Sequence, residues 1–138
     1  MAASGFLRDN EKIRPSDVFS TIQKRLSIME DCLFCRIVRG DIPSQKVYED
    51  DDVLAFRDIH PKAPVHFLII PKKHITSLAE AEPEDAPLLG KMLSLTRTLA
   101  LQEGCRNGFR VIINTGRDGG QEVGHLHIHV LGGPQPWK

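Results

Sequence analysis

Residues 125 to 130 alternate imidazole and aliphatic side chains: His125-Leu126-His127-Ile128-His129-Val130. Successive side chains of a β-strand point to opposite faces, so this run predicts a strand over residues 124–131. Leu126, Ile128 and Val130 then face a core, and three imidazoles share the other face. Chance clustering of histidines is disfavoured, because protonated neighbours repel. Whatever this chain folds into must therefore hold a sheet with an apolar side and a histidine-bearing side.

The remaining pattern supplies the rest of such a domain. Residues 65–70 (Val-His-Phe-Leu-Ile-Ile) form a dense apolar run ended by Pro71 and read as a buried strand. Shorter strands are expected at 46–49, 53–58 and 109–115. The longest helix is expected over 83–103, with Pro83 in its first turn, Glu84 and Asp85 at the positive end of its dipole and Gly104 just past its end. Leu88, Leu89, Met92, Leu93, Leu95 and Leu99 form its apolar face. Asp31 is the expected N-cap of a short helix carrying Leu33, Phe34, Ile37 and Val38, stopped by Gly40. The sum is an α+β domain: a mostly antiparallel sheet, one main helix and a short N-terminal helix.

With 138 residues, 41% hydrophobic and 26% charged, one core-forming domain is expected. Eighteen basic residues balance eighteen acidic ones, which argues against a nucleic-acid clamp. No apolar run approaches the roughly 20 residues that span a bilayer. Charges scattered through residues 1–28 do not read as a secretory signal, and three cysteines are too few for a disulfide framework. The expected location is the cytoplasm. Residues 1–28 read as a flexible or weakly helical extension, and Met29 is the expected start of the core domain, 29–138.

Two chemistries suit the histidine row. Histidines at i and i+2 of a strand could bind zinc. Alternatively the middle imidazole is a nucleophile whose neighbours orient phosphate and move protons. Upstream, Gly119-Gly120-Gln121 lies in a glycine-rich loop whose backbone N–H groups could converge on an anion. Asn114 could add a donor or hold that loop. An ordinary hairpin turn would look similar, but beside three aligned histidines the loop favours a phosphoryl substrate.

The run His125-Leu126-His127-Ile128-His129-Val130-Leu131-Gly132-Gly133 resembles the signature of the histidine triad (HIT) family. The chain is similar in particular to the purine nucleoside phosphoramidase branch. Asp58-Ile59-His60-Pro61-Lys62-Ala63-Pro64-Val65-His66-Phe67 resembles that branch's ribose-binding segment. Pro71-Lys72-Lys73-His74-Ile75, Asn114 and Asp118-Gly119-Gly120-Gln121 follow in the expected order. The resemblance covers residues 32–133.

It implies a HIT-like fold, a homodimer and hydrolysis of nucleoside 5′-phosphoramidates, with no metal required for catalysis. His127 would attack the α-phosphorus and form a nucleotidyl-histidine that water then opens. His129 would contact the phosphate and protonate the amine. Asn114, the backbone of Gly120, Gln121 and Glu122, and His66 would complete the phosphate cradle. Asp58 would accept from the ribose hydroxyls, and Ile59 would line a purine slot with Phe34, Ile37, Ile42 and Phe56, residues that plain core packing would also explain.

The pair Cys32-x-x-Cys35 has no second pair to complete a metal site. The resemblance implies that His74 and His125 join it in a structural zinc site. Two buried, metal-free cysteines are the competing reading. Departures from the family pattern are Glu122 where serine is frequent, Gly124 where an aromatic is frequent and His60 where serine is usual. The spacing of Trp137 differs from that of the tryptophan expected to reach a partner subunit. Two other classes stay open: a nucleotide-binding regulatory module, and a zinc hydrolase using all three triad histidines.

Overall fold

The computed structural model describes residues 31–137 together with Gln23. The expected extension over 1–28 and the start at Met29 therefore lie outside the described residues, Gln23 excepted.

A helix, α1 (Leu33–Val38), leads into three antiparallel strands, β1 (Lys46–Glu49), β2 (Val53–Arg57) and β3 (Val65–Pro71). Two short 3₁₀ turns, Leu78–Glu80 and Pro83–Asp85, precede the main helix α2 (Ala86–Gln102); strands β4 (Phe109–Ile112) and β5 (Ile128–Gly132) close the chain. The sheet order is β1-β2-β3-β5-β4, antiparallel throughout, so the histidine-bearing strand lies inside the sheet beside β3.

The two faces of β3 follow directly from its period of two. Phe67 and Ile69 pack with Val53, Ala55, Met92, Leu99, Leu126, Ile128 and Val130 in the core beneath α2. Leu68 and Ile70 point the other way, into a smaller cluster with Phe34, Ile37, Leu54 and Phe56 beneath α1. His66 shares the α1 face with Leu68 and Ile70, which places it near the imidazole row.

Several boundaries differ from the sequence reading. The N-cap of α1 is Cys32, not Asp31: its sulfur accepts from the Cys35 N–H at 3.4 Å, a bond a capping carboxylate would otherwise make. Gly40, at φ +85°, ends this helix as expected, with the Gly40 and Asp41 N–H groups donating to Ile37 and Arg36. Residues 83–85 of the expected long helix form a 3₁₀ turn, where Asp85 and Glu82 cap each other reciprocally. On α2, Thr96 is buried whereas Leu93 is 49% exposed, because Met92, Thr96 and Leu99 make the stripe that faces the sheet. Thr96 satisfies its hydroxyl on the Leu93 carbonyl at 2.6 Å.

Strand β4 ends at Ile112 and β5 begins only at Ile128, against the expected 115 and 124. Residues 125–127 keep the alternation of side chains without a ladder partner. Their backbone is held instead by the Leu126 N–H, which donates to Ile75 at 2.7 Å, and the His125 N–H, which donates to Val123 at 2.8 Å. No helix among the described residues is long and apolar enough to cross a membrane.

Candidate active site and four-donor cluster

His127 is buried, and its Nδ1 lies 2.7 Å from the His125 carbonyl. A carbonyl only accepts, so Nδ1 carries the ring proton, and Nε2 presents a lone pair. Phe34 contacts the ring edge-on, at 5.2 Å between centroids, and Phe56 packs edge-on behind Phe34 at 5.5 Å. The nucleophile expected from the sequence thus has a defined tautomer and an aromatic backing.

His129 is set by a chain of three groups. The Lys62 N–H donates to His66 Nδ1 at 3.1 Å, so the neutral His66 ring holds its proton on Nε2. That nitrogen lies 3.0 Å from His129 Nδ1 and 3.4 Å from Asp58 Oδ2. His129 Nδ1 therefore accepts, and its Nε2 carries an N–H available to the cavity. Burial, followed by the neighbouring His127 and His66, lowers the His129 pKa to about 4 and keeps it neutral near pH 7. Burial likewise lowers the pKa of His66. With ring centroids 5.0 Å apart, His127 offers a lone pair and His129 a proton to the same space.

That space is a cavity of about 840 Å³, lined among others by Phe34, Ile37, Ile42, Phe56, Asp58, Ile59, Glu122, His127 and His129. Its volume falls in the ligand-pocket range of roughly 300–1,000 Å³. Ile59 is 85% exposed at its edge, whereas Phe34, Ile37 and Phe56 both line the cavity and belong to the buried cluster. Asp58 uses Oδ1 to accept from the His60 N–H at 2.8 Å, a local turn, while its carboxylate still lines the cavity.

The cradle is built differently from the expectation. His66 does not line the cavity; it stands behind His129, 3.0 Å from its Nδ1. The Gly120 and Gln121 N–H groups donate inside the loop, to Arg117 at 3.1 Å and Gly116 at 3.0 Å, because so tight a turn satisfies its own backbone. Of the three backbone donors expected there, only that of Glu122 has no partner among the described residues. The Asn114 amide donates to the Gly119 carbonyl at 2.8 Å and holds the loop. Gln121 is a brace: its carbonyl accepts from Gly116, and its amide donates to Thr76 and Val123. Gly119 has no substitute, since a Cβ there would collide with the Thr115 carbonyl oxygen.

At the other end of the row, the donor atoms of Cys32, Cys35, His74 and His125 lie within 4.8 Å of one another. Cys32 Sγ and Cys35 Sγ stand 3.3 and 3.6 Å from His125 Nδ1, and Cys35 Sγ stands 3.1 Å from His74 Nδ1. A tetrahedral ion with bonds of roughly 2.0–2.3 Å sets such ligand atoms about 3.5 Å apart. His125 Nε2 donates to the Pro71 carbonyl at 2.8 Å, which leaves Nδ1 as the ligating nitrogen. Burial lowers the His125 pKa to about 4 and lowers that of His74, keeping both rings in the unprotonated form that coordination needs. Burial pushes the Cys35 thiol up to about 12, a direction that a bound cation would reverse. The residues present fit a Cys₂His₂ metal.

The three triad histidines do not converge on one point. His125 joins the cysteines, His129 joins His66 and Asp58 in a second cluster, and His127 belongs to neither. This arrangement is incompatible with a zinc hydrolase that uses all three as ligands. The Trp137 indole N–H donates to the Gly133 carbonyl at 2.9 Å, and its ring lies 5.0 Å from the Arg110 guanidinium.

The sheet, the imidazole row and the cavity beneath α1 together form a ligand-sized pocket lined by two histidines of the row. The chain belongs to the HIT family, whose domain matches residues 39–135. It is 53% identical to Protein HitA of Neisseria gonorrhoeae over 106 residues, 77% of this chain and 99% of that one. Among solved structures it is similar to a HIT family hydrolase from Legionella pneumophila Philadelphia 1, with 49% identity and a TM-score of 0.74. That match covers 76% of this chain and 95% of the other. A histidine triad protein from Clostridium difficile matches with 48% identity and a TM-score of 0.73, covering 77% and 93%.

Proposed function

We propose that this HIT protein hydrolyses purine nucleoside 5′-phosphoramidates through a covalent nucleotidyl-His127. The observation that carries the reading is the 2.7 Å bond from His127 Nδ1 to the His125 carbonyl, which leaves Nε2 as the ring nitrogen free to attack at the cavity. In the first step Nε2 bonds to the α-phosphorus as the P–N bond breaks. The amine leaves with a proton drawn from solvent and passed on by His129 Nε2, whose ring is cationic only in transit and neutral before and after. In the second step water attacks the phosphorus, the bond to His127 breaks, and the proton that water gives up returns to solvent through His129. The products are the nucleoside monophosphate and the free amine.

Asp58 accepts from the ribose hydroxyls, and the apolar wall of Phe34, Ile37, Ile42, Phe56 and Ile59 takes the purine. The Glu122 N–H is the backbone donor for a phosphoryl oxygen. Cys32, Cys35, His74 and His125 would hold a structural zinc ion that pins α1 to the sheet and touches neither substrate nor the reacting atoms. The working form is a homodimer in the reducing environment of the cytoplasm, where the cysteines stay free thiols or metal thiolates.

The test is turnover of an adenosine 5′-phosphoramidate carrying a fluorogenic amine, by native chain, metal-depleted chain and His127→Ala. The expected result is at least about a 10³-fold loss in His127→Ala, with the metal-depleted chain still turning over. Activity that appears only when zinc is restored would overturn the nucleophile. Tight nucleotide binding with no turnover in any sample would favour a regulatory binding module.

A further inference from the structure

The four-donor cluster and the nucleophile meet in one residue. The His125 side chain enters the cluster, 3.3 and 3.6 Å from the two sulfurs, while its backbone carbonyl holds the His127 ring at 2.7 Å. The same segment has no ladder partner, since β5 starts at Ile128. The direction of that carbonyl therefore depends on a few anchors: the His125 ring, its N–H on Val123, and the Leu126 N–H on Ile75. The ring itself is fixed by the Pro71 carbonyl on one nitrogen and by the thiol cluster on the other. Phe34, on the helix that Cys32 caps, touches both rings, at 5.9 Å from His125 and 5.2 Å from His127. Releasing the cluster frees one nitrogen of His125 and loosens the N-terminus of α1, and both changes reach His127.

We infer that His125 is a positioning residue for His127, so that metal held at Cys32, Cys35, His74 and His125 sets the orientation and tautomer of the nucleophile. The metal assignment rests on the reading above, but the coupling concerns bonds within this chain. Occupancy of the cluster tunes the rate of the chemical step without contributing a ligand to substrate. Ground-state binding of the nucleotide changes less than the rate, because Asp58, Ile42, Phe56 and Ile59 of the cavity lie outside α1.

The test has two readouts, only one of which needs turnover. Zinc is titrated into metal-depleted, histidine-¹⁵N-labelled full-length protein while the His127 Nδ1–H resonance is followed by NMR. The expected result is a sharp, slowly exchanging signal in the loaded protein that broadens or vanishes in the depleted one. In parallel, kcat of Cys35→Ser falls about tenfold, well beyond any change in KM. Leu99→Ala, which loosens the core on the opposite face of the sheet, lowers Tm but keeps both the resonance and kcat. A His127 signal unchanged across the titration would overturn the coupling whatever the enzyme hydrolyses. So would a Cys35→Ser protein that folds, binds no zinc and retains native kcat. If the resonance responds but no phosphoramidate is turned over, the coupling stands and the substrate assignment falls.

Discussion

The four-donor cluster and the proton chain occupy neighbouring stretches of the same sheet face and are built from the same side chain. In the first, His125 gives one nitrogen to the Pro71 carbonyl and turns the other to two sulfurs. In the second, His66 takes the Lys62 N–H on one nitrogen and gives its proton to His129 with the other. His127, between them, rests on a carbonyl and leaves its second nitrogen bare. Imidazole is equally able to ligate, relay or attack; the fixed backbone group on its far nitrogen decides which. The comparison teaches that the triad is one motif in sequence and three different sites in space.

If the proton chain serves catalysis, the largest effect after loss of the nucleophile follows its interruption. For alkylamine leaving groups, His129→Gln is expected to lose about 10²–10⁴ in kcat, the range for a general acid, and much less for a weakly basic arylamine that departs without a proton. Single-turnover rates across a series of amines check this, and an equal loss for every amine would contradict the acid role.

Breaking the other cluster is expected to show first in stability. A site saturated about 1,000-fold above its Kd contributes about 4 kcal/mol, so chelation lowers Tm by on the order of 10 °C. Calorimetry with and without a chelator measures it; an unchanged Tm would mean that the cluster holds no metal under those conditions.

The smallest effect is a pH dependence of the metal-free fold. His129 is held at about 4 in the folded chain against 6.5 in its ordinary environment, so between those values the unfolded chain binds more protons. Stability is therefore fully present above about 6.5, is lost as pH falls toward about 4 and levels off below. Urea midpoints at a series of pH values follow this, and His129→Gln is expected to make the acid limb shallower, leaving the share of His125, which burial also holds at about 4.

Much of this was readable from residue order. The alternation at 125–130, the run ending at Pro71 and the apolar face of the main helix led to an antiparallel sheet with one covering helix, which the structure and the family match bear out. What escaped was set by partners distant in the chain. Nothing near His66 announces that it would stand behind His129, because the two are 63 residues apart and meet only through the β3–β5 register. The Gln121 brace depends on Thr76, 45 residues away. The inward-turned N–H groups of Gly120 and Gln121 depend on turn geometry, which glycine content alone leaves open. Cys32 displaced Asp31 as the helix cap because its sulfur faces the Cys35 N–H, a placement that a pattern of capping residues does not capture.

The most direct test of the account is to catch the intermediate. The native chain is mixed with adenosine 5′-phosphoramidate, quenched within the first turnover at alkaline pH, where phosphohistidine bonds survive, and digested for mass spectrometry. The account predicts one adenylyl group on the peptide carrying residues 125–129, located on His127 by fragmentation and absent in His127→Ala. A full turnover of substrate with that peptide unmodified at every quench time, or with the group on another residue, would contradict it.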